Sequence, residues 1–152
     1  MFKVLKIGII FFFISNCGYV PMYSNQSDVG LNIYVLSLEG EKDINLKIAQ
    51  KLNKYKDASA DKRHDIKVFS NFEKKSITKN EAGNTTNFRL VLDIDFIVII
   101  DGDSKTLNFV ESFDIKENEP LFEQSNYERE VKNDMINLII QKLTSRLLTI
   151  KW

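Results

Sequence analysis

The chain has 152 residues, of which 43% are hydrophobic and 28% are charged, and this size and composition suit one globular domain. Its 21 basic and 21 acidic side chains cancel, which argues against a protein that binds nucleic acid without regard to sequence. A single Cys and a single His, His64, exclude an intramolecular disulfide, a cysteine-cluster zinc site and a HExxH motif.

The first sixteen residues have the pattern of a bacterial export signal. Lys3 and Lys6 precede an apolar run over residues 7–14, which is shorter than the roughly 20 residues of a membrane-spanning helix. Residues 1–16 are therefore predicted to be a signal peptide; a buried first strand or helix and a retained membrane anchor are the alternatives. Removal of this segment would leave 19 basic and 21 acidic side chains, a net charge of −2.

Cys17 stands directly after this segment, in the stretch Ile14-Ser15-Asn16-Cys17. The stretch resembles a lipobox, in which the Cys is lipidated and becomes the mature N-terminus, although Asn16 replaces the usual Gly, Ala or Ser. An exported single Cys has no disulfide partner, so lipidation would account for it. A plain signal peptide with an unmodified Cys is the alternative. Residues 18–28 are mostly polar and are predicted to be a tether.

Residues 29–152 are predicted to form a single α+β domain with the element order β-α-β-β-β-α. Alternation of apolar and polar residues indicates strands, and a 3.6-residue period indicates helices. The predicted strands are Val29–Ser37, His64–Ser76, Thr86–Asp101 and Thr106–Ile115, and the predicted helices are Glu41–Lys56 and Ser125–Ile150. The expected fold is a two-layer sandwich, in which a four-stranded, mainly antiparallel sheet carries two helices on one face.

Local signals place the boundaries between these elements. Gly40 should end the first strand, and residues 77–87 should form a loop. Asp101–Gly102 is typical of a tight hairpin turn. Ser125 and Glu128 have the spacing of a capping box, which predicts the start of the last helix. The apolar stripe expected on that helix comprises Tyr127, Val131, Met135, Leu138, Ile139, Leu143, Leu147 and Ile150.

Two helices on one face would leave the second face of the sheet uncovered. An exposed apolar patch of some size usually marks a partner surface, whereas a covering loop or ordinary exposed β-branched residues are the alternatives. The apolar residues expected on that face are Tyr34, Leu36, Phe69, Val91, Ile97, Ile99 and Val110. The candidates for partner contact among them are Phe69, Val91, Ile97, Ile99 and Val110.

Carboxylates near the hairpin invite a metal or acid–base interpretation, which the surrounding residues do not support. Asp93 and Asp95 lie on one face of a strand, but no His or glycine-rich loop completes a site. Asp101 and Asp103 are explained by turn chemistry. We therefore expect no metal, no cofactor and no enzymatic activity, and we expect His64 to be an ordinary strand-edge residue.

The segment Cys17-Gly18-Tyr19-Val20-Pro21-Met22-Tyr23 resembles the start of the LPS-assembly lipoprotein family, LptE, particularly its alphaproteobacterial branch. The mature chain there often opens with Cys-Gly-(aromatic)-x-Pro-Leu-Tyr, and Met22 stands here in place of the Leu. The predicted element order and the long last helix extend the resemblance over the whole chain at the level of pattern.

The resemblance implies a non-enzymatic lipoprotein of the outer membrane, on its periplasmic side and held in the bilayer by acylated Cys17. Such a protein plugs the LptD β-barrel, helps to assemble it and assists lipopolysaccharide transport to the cell surface. The family binds lipopolysaccharide through basic residues, for which the local candidates are Lys74, Lys75 and Lys79; a solvated hairpin tip is the alternative. The alternative function is a stand-alone periplasmic lipoprotein that binds a lipid or a peptide.

Overall fold

The structure is a computed structural model that describes residues 30–58, 60, 62–117 and 121–150. The predicted signal peptide, Cys17 and the predicted tether lie outside the described residues. In chain order the elements are strand β1 (Asn32–Gly40), helix α1 (Lys42–Leu52) with a 3-10 turn (Asn53–Tyr55), strands β2 (Arg63–Lys79), β3 (Thr85–Ile100) and β4 (Asp103–Lys116), and helix α2 (Leu121–Thr149).

The four strands form one sheet in the order β1-β2-β3-β4. β1 and β2 are parallel, because α1 crosses between them, and the other two pairs are antiparallel hairpins. The β2–β3 and β3–β4 pairings are the longest, and their register runs without interruption through the centre of the sheet. The predicted α+β fold, with a mainly antiparallel sheet and two helices, is confirmed.

The core lies between the sheet and the two helices. Every second side chain of β3 from Leu90 to Ile100 is buried, as the alternation of this strand predicts. The apolar stripe predicted for the first helix is also buried: Ile44, Ile48 and Leu52 lie on α1. Tyr55 lies in the 3-10 turn that replaces the predicted last turn of this helix. The largest stabilising contribution comes from this layer, since a fully buried aliphatic or aromatic side chain contributes about 1.5–3 kcal/mol.

The junction of β1 and α1 is fixed by a close approach to β2. Gly40 ends β1 with a φ of +101°, and a Cβ atom there would overlap the backbone oxygen of its pairing partner Ser70. The Ser70 hydroxyl accepts a hydrogen bond from the Glu41 N–H at 3.1 Å and donates one to Asn45 Oδ1 at 2.9 Å. Ser70 therefore satisfies a free backbone donor at the start of the helix, in place of a capping side chain on Glu41 itself.

The loop predicted over residues 77–87 is wrong, because β2 and β3 continue through most of it. β2 extends to Lys79 and β3 begins at Thr85, so the connection is only a short turn. Hydrogen bonds between hydroxyl groups stabilise the additional strand pairs. Ser76 Oγ lies 2.9 Å from Thr85 Oγ1, and Thr78 Oγ1 lies 2.9 Å from Thr86 Oγ1. Threonine also favours extended backbone. Asn80, Gly83 and Asn84 predict the turn correctly, but the strands on either side of it extend further than predicted.

The β3–β4 turn is as short as the sequence indicates. Asp101 and Gly102 both have positive φ, 51° and 97°, which a two-residue primed turn requires. Because only two residues separate the strands, β4 begins at Asp103, three residues before the predicted start at Thr106.

The predicted start of the last helix is wrong. α2 begins at Leu121, so Ser125 lies inside the helix and the capping box does not form. Glu128 instead accepts a hydrogen bond from Gln124, one turn earlier on the same helix, at 2.9 Å. Two members of the predicted stripe, Tyr127 and Leu138, are exposed; the buried α2 residues are Gln124, Val131, Met135, Ile136, Ile139, Ile140, Leu143, Thr144 and Leu147.

His64 is not the strand-edge residue that the sequence suggested. It lies in β2, an interior strand, and its residue surface is only 5% exposed. Burial lowers the pKa of His64 below its usual value of 6.5, and backbone hydrogen bonds with Asn32 and Lys62 oppose this shift only in part.

We expect His64 to make the fold sensitive to mild acid. Because its pKa is lowered in the folded state, the unfolded chain binds more protons near and below pH 6.5. The free energy of unfolding should therefore fall as the pH drops below about 6.5 and should not respond to this group above that pH. Urea unfolding over a pH series measures the slope. Between the folded-state and unfolded-state pKa values of His64, His64→Phe should remove this group's contribution to the slope of the unfolding free energy against pH. An unchanged slope in that variant would show that His64 is not the group responsible.

Candidate partner surface

The sheet face opposite the two helices is called the open face. Pairing of Lys67 with Ile97, and of Ile97 with Thr106, places odd-numbered residues of β2 and β3 beside even-numbered residues of β4 on this face. The predicted candidates Phe69, Val91, Ile97, Ile99 and Val110 all lie on it and are half-buried or exposed. Within the described ranges both helices pack on the other face, and no described element packs on this one.

The register divides the five candidates into two groups. Phe69, Ile97 and Ile99 are neighbours: Ile97 and Ile99 follow each other along the open face of β3, and Phe69 lies diagonally across from Ile97 on β2. Val91 and Val110 lie further along, on a diagonal between β3 and β4, and Val110 is 52% exposed. The apolar surface is therefore two smaller patches rather than one.

A polar row separates these two patches. Asn108 on β4 donates two hydrogen bonds from its Nδ2 atom, to Asp93 Oδ1 at 2.7 Å and to Asp95 Oδ1 at 2.8 Å. One amide thus holds both carboxylates of the pair considered above as a metal or acid–base site. Among the described residues no group of three or more His, Cys, Asp or Glu side chains could hold a metal ion.

An ion pair borders the open face at the end away from the β3–β4 turn. The Arg89 guanidinium donates to both carboxylate oxygens of Asp114, at 2.7 and 2.8 Å, across the β3–β4 pair. These hydrogen bonds hold the pKa of Asp114 below its usual range. Both side chains are about half exposed, so the pair orients charge at the rim more than it stabilises the fold.

The three lysines proposed for lipopolysaccharide do not form one cluster. Lys74 pairs with buried Leu90 and lies on the helix face, whereas Lys75 pairs with Arg89 and lies on the open face. Lys79 is exposed at the end of β2, where it pairs with Thr85. These positions would let the three ammonium groups reach different surfaces of the hairpin.

Lys74 is held by two contacts on the helix face. Its Nζ atom lies 2.5 Å from Glu128 Oε1 and 4.1 Å from the centre of the Phe88 ring. Burial acts to raise the pKa of Glu128, but hydrogen bonds from Lys74 and Gln124 outweigh it and hold the pKa below its usual value. The pair therefore joins α2 to the long β2–β3 hairpin.

We expect Lys74 and Glu128 to be coupled in stability. A double-mutant cycle with Lys74→Met and Glu128→Gln should give a coupling of about 0.5–1 kcal/mol at pH 7, since Lys74 is partly exposed. Because the pKa of Glu128 is lowered on folding, the coupling should be present above about pH 4.5 and lost as the pH falls through the folded-state value.

The exposed pair Lys75 and Glu73 on the open face is the matched control for this cycle. It should show a smaller coupling, because both of its side chains are more exposed than those of the first pair. A larger coupling for the control pair, or a coupling of Lys74 with Glu128 that does not weaken as the pH is lowered below 4.5, would contradict the interpretation.

Sequence reasoning missed two residues that organise these surfaces. Asn108 was only a polar position in an alternating strand, and its two acceptors are found only through the β3–β4 register. Arg63 lies over the Tyr34 ring at 4.0 Å from its centre and 2.7 Å from Asp65 Oδ1, beside the first apolar patch. Its position depends on the parallel β1–β2 pairing, which local sequence does not indicate.

None of the helices in the described part of the chain combines the length and the apolar character needed to cross a membrane. α2 is the longest of them with 29 residues, and one side of it packs on the sheet while the other carries charged residues. Cys17, the predicted lipid attachment site, lies outside the described residues.

Comparison by sequence finds no matching family model and no matching curated protein. Comparison by structure does find matches. The chain is similar to rare lipoprotein B from Shewanella oneidensis at 17% identity and a TM-score of 0.56, over 77% of this chain and 97% of that one. It is also similar to an uncharacterized lipoprotein B from Nitrosomonas europaea, at 12% identity and a TM-score of 0.53, over 77% and 81% of the two chains.

A third similar structure is a putative lipoprotein from Caulobacter crescentus CB15, at 10% identity and a TM-score of 0.52, over 76% of this chain and 88% of that one. All three matches extend over most of both chains, so they concern the whole domain rather than one hairpin. The described domain therefore has the fold of these bacterial lipoproteins.

Proposed function

We propose that the chain is an LptE-like lipoprotein of the outer membrane that plugs an LptD-type β-barrel, helps to assemble it and assists lipopolysaccharide transport. The observation that carries the proposal is the open face, a sheet surface with half-buried apolar side chains and no described element packed on it. The motif from Cys17 to Tyr23 and the likeness to lipoprotein structures support the same assignment. We propose no enzymatic role and no cofactor.

The surface chemistry of the open face suits the lumen of such a barrel. Barrel interiors are polar. A plug therefore needs polar groups whose hydrogen bonds to water can be replaced by hydrogen bonds to barrel side chains. The row formed by Asn108 with Asp93 and Asp95, and the pair of Arg89 with Asp114, supply such groups between two apolar patches. A mixture of polar and apolar contacts of this kind is typical of non-obligate interfaces.

The N-terminus would place the domain at the membrane. Several acyl chains on Cys17 would anchor it stably, since each buried CH₂ contributes about 0.8 kcal/mol. β1 begins at Asn32, where it pairs with Arg63 at the start of β2, so the anchor joins the end of the sheet opposite the β2–β3 hairpin tip. Lys79 near that tip would then be exposed to lipopolysaccharide phosphates, and Lys75 could exchange its exposed partner Glu73 for a phosphate, whereas Lys74 is held by the less exposed Glu128.

The test is co-purification from the outer membrane. The full chain, tagged at its C-terminus, is extracted in mild detergent and its partners are identified by mass spectrometry. We expect a stoichiometric large β-barrel protein. Recovery of the chain without a barrel from a well-extracted membrane would overturn the plug, and a lipid or peptide bound to that chain would support the stand-alone lipoprotein instead.

Two matched variants locate the contact. Ile97→Lys places a charge in the first apolar patch of the open face and should reduce recovery of the barrel. Leu46→Lys places the same charge on the outer side of α1, where Leu46 is 51% exposed, and should leave recovery unchanged. Equal loss in both variants, or loss in neither, would contradict the assignment of the open face.

A further inference from the structure

The two edges of the sheet differ in how they are protected. β1 is short, with 9 residues, and its pairing with β2 is interrupted by a bulge between Val35 and Ser37. Short strands and bulges are common devices that prevent an edge strand from pairing with another chain. The β1 edge is therefore a poor template for a further strand.

β4 lacks these devices. It has 14 residues, contains neither Pro nor Gly, and pairs with β3 from Asp103 to Lys116 without a register shift. No described strand pairs with its outer edge. Its exposed apolar side chains include Val110 at 52% and Phe113 at 46%. A long, regular edge strand with exposed apolar residues is a template for strand addition.

The sequence of β4 is complementary to itself. Residues 106–110 (Thr-Leu-Asn-Phe-Val) are uncharged and are flanked by Lys105 on one side and Glu111 on the other. If two copies pair antiparallel about Asn108, this uncharged segment lies opposite itself. Each Lys105 then lies opposite the partner's Glu111, and Leu107 lies opposite Phe109. Opposite charges and apolar pairs at directly facing positions each stabilise a strand pair.

We propose that the free chain forms a two-fold symmetric dimer by antiparallel pairing of β4 with β4 of a second copy, centred on Asn108. The arrangement is isologous, since the same residues contribute from both copies, and it would join two four-stranded sheets into one of eight strands. In this register the numbers of two directly paired residues differ by an even value. Residues on the open face of one copy therefore lie beside residues on the open face of the other. The inference does not depend on the proposed barrel, because it uses only the β4 edge.

The helix side of the same edge offers further apolar contact. Phe109 and Leu138 line a groove of about 440 Å³ between β4 and α2, and Leu138 is 41% exposed. Lys142 of α2 contacts Glu111 at this groove. The carboxylate of Glu111 therefore already has a cationic partner within the chain, and the facing Lys105 of the second copy would extend this ion pair. The dimer would place one such groove on each side of the two-fold axis.

Crosslinking tests the register directly. The full chain with Cys17→Ala, purified in detergent without the barrel, receives either Asn108→Cys or Ser112→Cys and is treated with a short thiol-to-thiol crosslinker. The thiols introduced at position 108 of the two copies would face each other, whereas those at position 112 would lie about 26 Å apart, at about 3.3 Å per residue. We expect loss of the monomer band in the first variant only. Equal crosslinking of both variants, or of neither, overturns the proposal.

Sedimentation velocity supplies an independent test. The Cys17→Ala chain should sediment as a dimer, and Val110→Lys should convert it to a monomer, because Val110 would lie two residues from the axis. Leu36→Lys places the same charge on the β1 edge, at a residue that is 50% exposed, and should remain a dimer. Circular dichroism confirms that each variant is folded. A monomeric parent chain, or a dimer that Val110→Lys leaves intact, overturns the proposal without affecting the proposed barrel contact.

Discussion

Replacement of Gly40 by alanine should destabilise the domain by about 3 kcal/mol or more, one of the largest effects expected of any single methyl group here. Two penalties combine at this residue. Its φ of +101° is strained for any L side chain, and the new Cβ would overlap the Ser70 backbone oxygen and lie 2.9 Å from the Ser70 carbonyl carbon. Because these atoms belong to the backbone of an interior strand, no side-chain rotation can relieve the overlap. Urea unfolding of the purified domain measures the change.

Gly102 is the matched control for this prediction. Its φ of +97° is nearly the same, but nothing lies within 4 Å of a Cβ built there. Gly102→Ala should therefore cost only the backbone strain, about 1–2 kcal/mol. Equal effects at the two glycines would show that strain alone determines the cost and that the approach of β1 to β2 at Ser70 is not tight.

Phe96→Ala should cost about 3–5 kcal/mol, because it removes the largest fully buried side chain of the core. Phe96 lies in β3, four residues before the end of the strand, and packs edge-to-face on Phe109 of β4, with 6.0 Å between ring centres. The surrounding layer contains mostly branched aliphatic side chains on β3, which cannot move far enough to fill the space. Thermal and urea unfolding should both show the loss.

Phe113→Ala is the control, since the same truncation on β4 affects a ring that is 46% exposed. Its cost should be about 1 kcal/mol or less. A similar cost for both substitutions would mean that the layer between β3 and α2 is not the centre of the core. A small cost for Phe96→Ala alone would mean that the layer relaxes around the cavity.

The strands and the first helix could be predicted because their patterns are local. The alternation from Phe88 to Ile100 has a single interpretation, and the apolar stripe of α1 has the helical period over three turns. The turn at Asp101–Gly102 follows from two residues that tolerate positive φ. The two-layer arrangement then follows, since one sheet face and two apolar stripes must be buried together.

The predictions failed where distant residues decide the outcome. The β2–β3 hairpin is long because Ser76 and Thr78 meet hydroxyl partners on β3. Glu128, whose spacing from Ser125 suggested a capping box, lies inside α2 and contacts Lys74 on β2. The link from Asn108 to two aspartates likewise depends on strand register. No short window of sequence contains these pairs. The identity of a partner for the open face is a property of another molecule and is equally absent from local patterns.

Site-specific photocrosslinking in living cells tests whether the open face contacts a barrel. A photoreactive residue at Ile97 lies in the first apolar patch, and one at Glu123 lies on the exposed side of α2 as the control. We expect an adduct between the chain and a large outer-membrane β-barrel from position 97, with much less from position 123. No barrel adduct from position 97, or equal adducts from both positions, would contradict the open face as the partner surface.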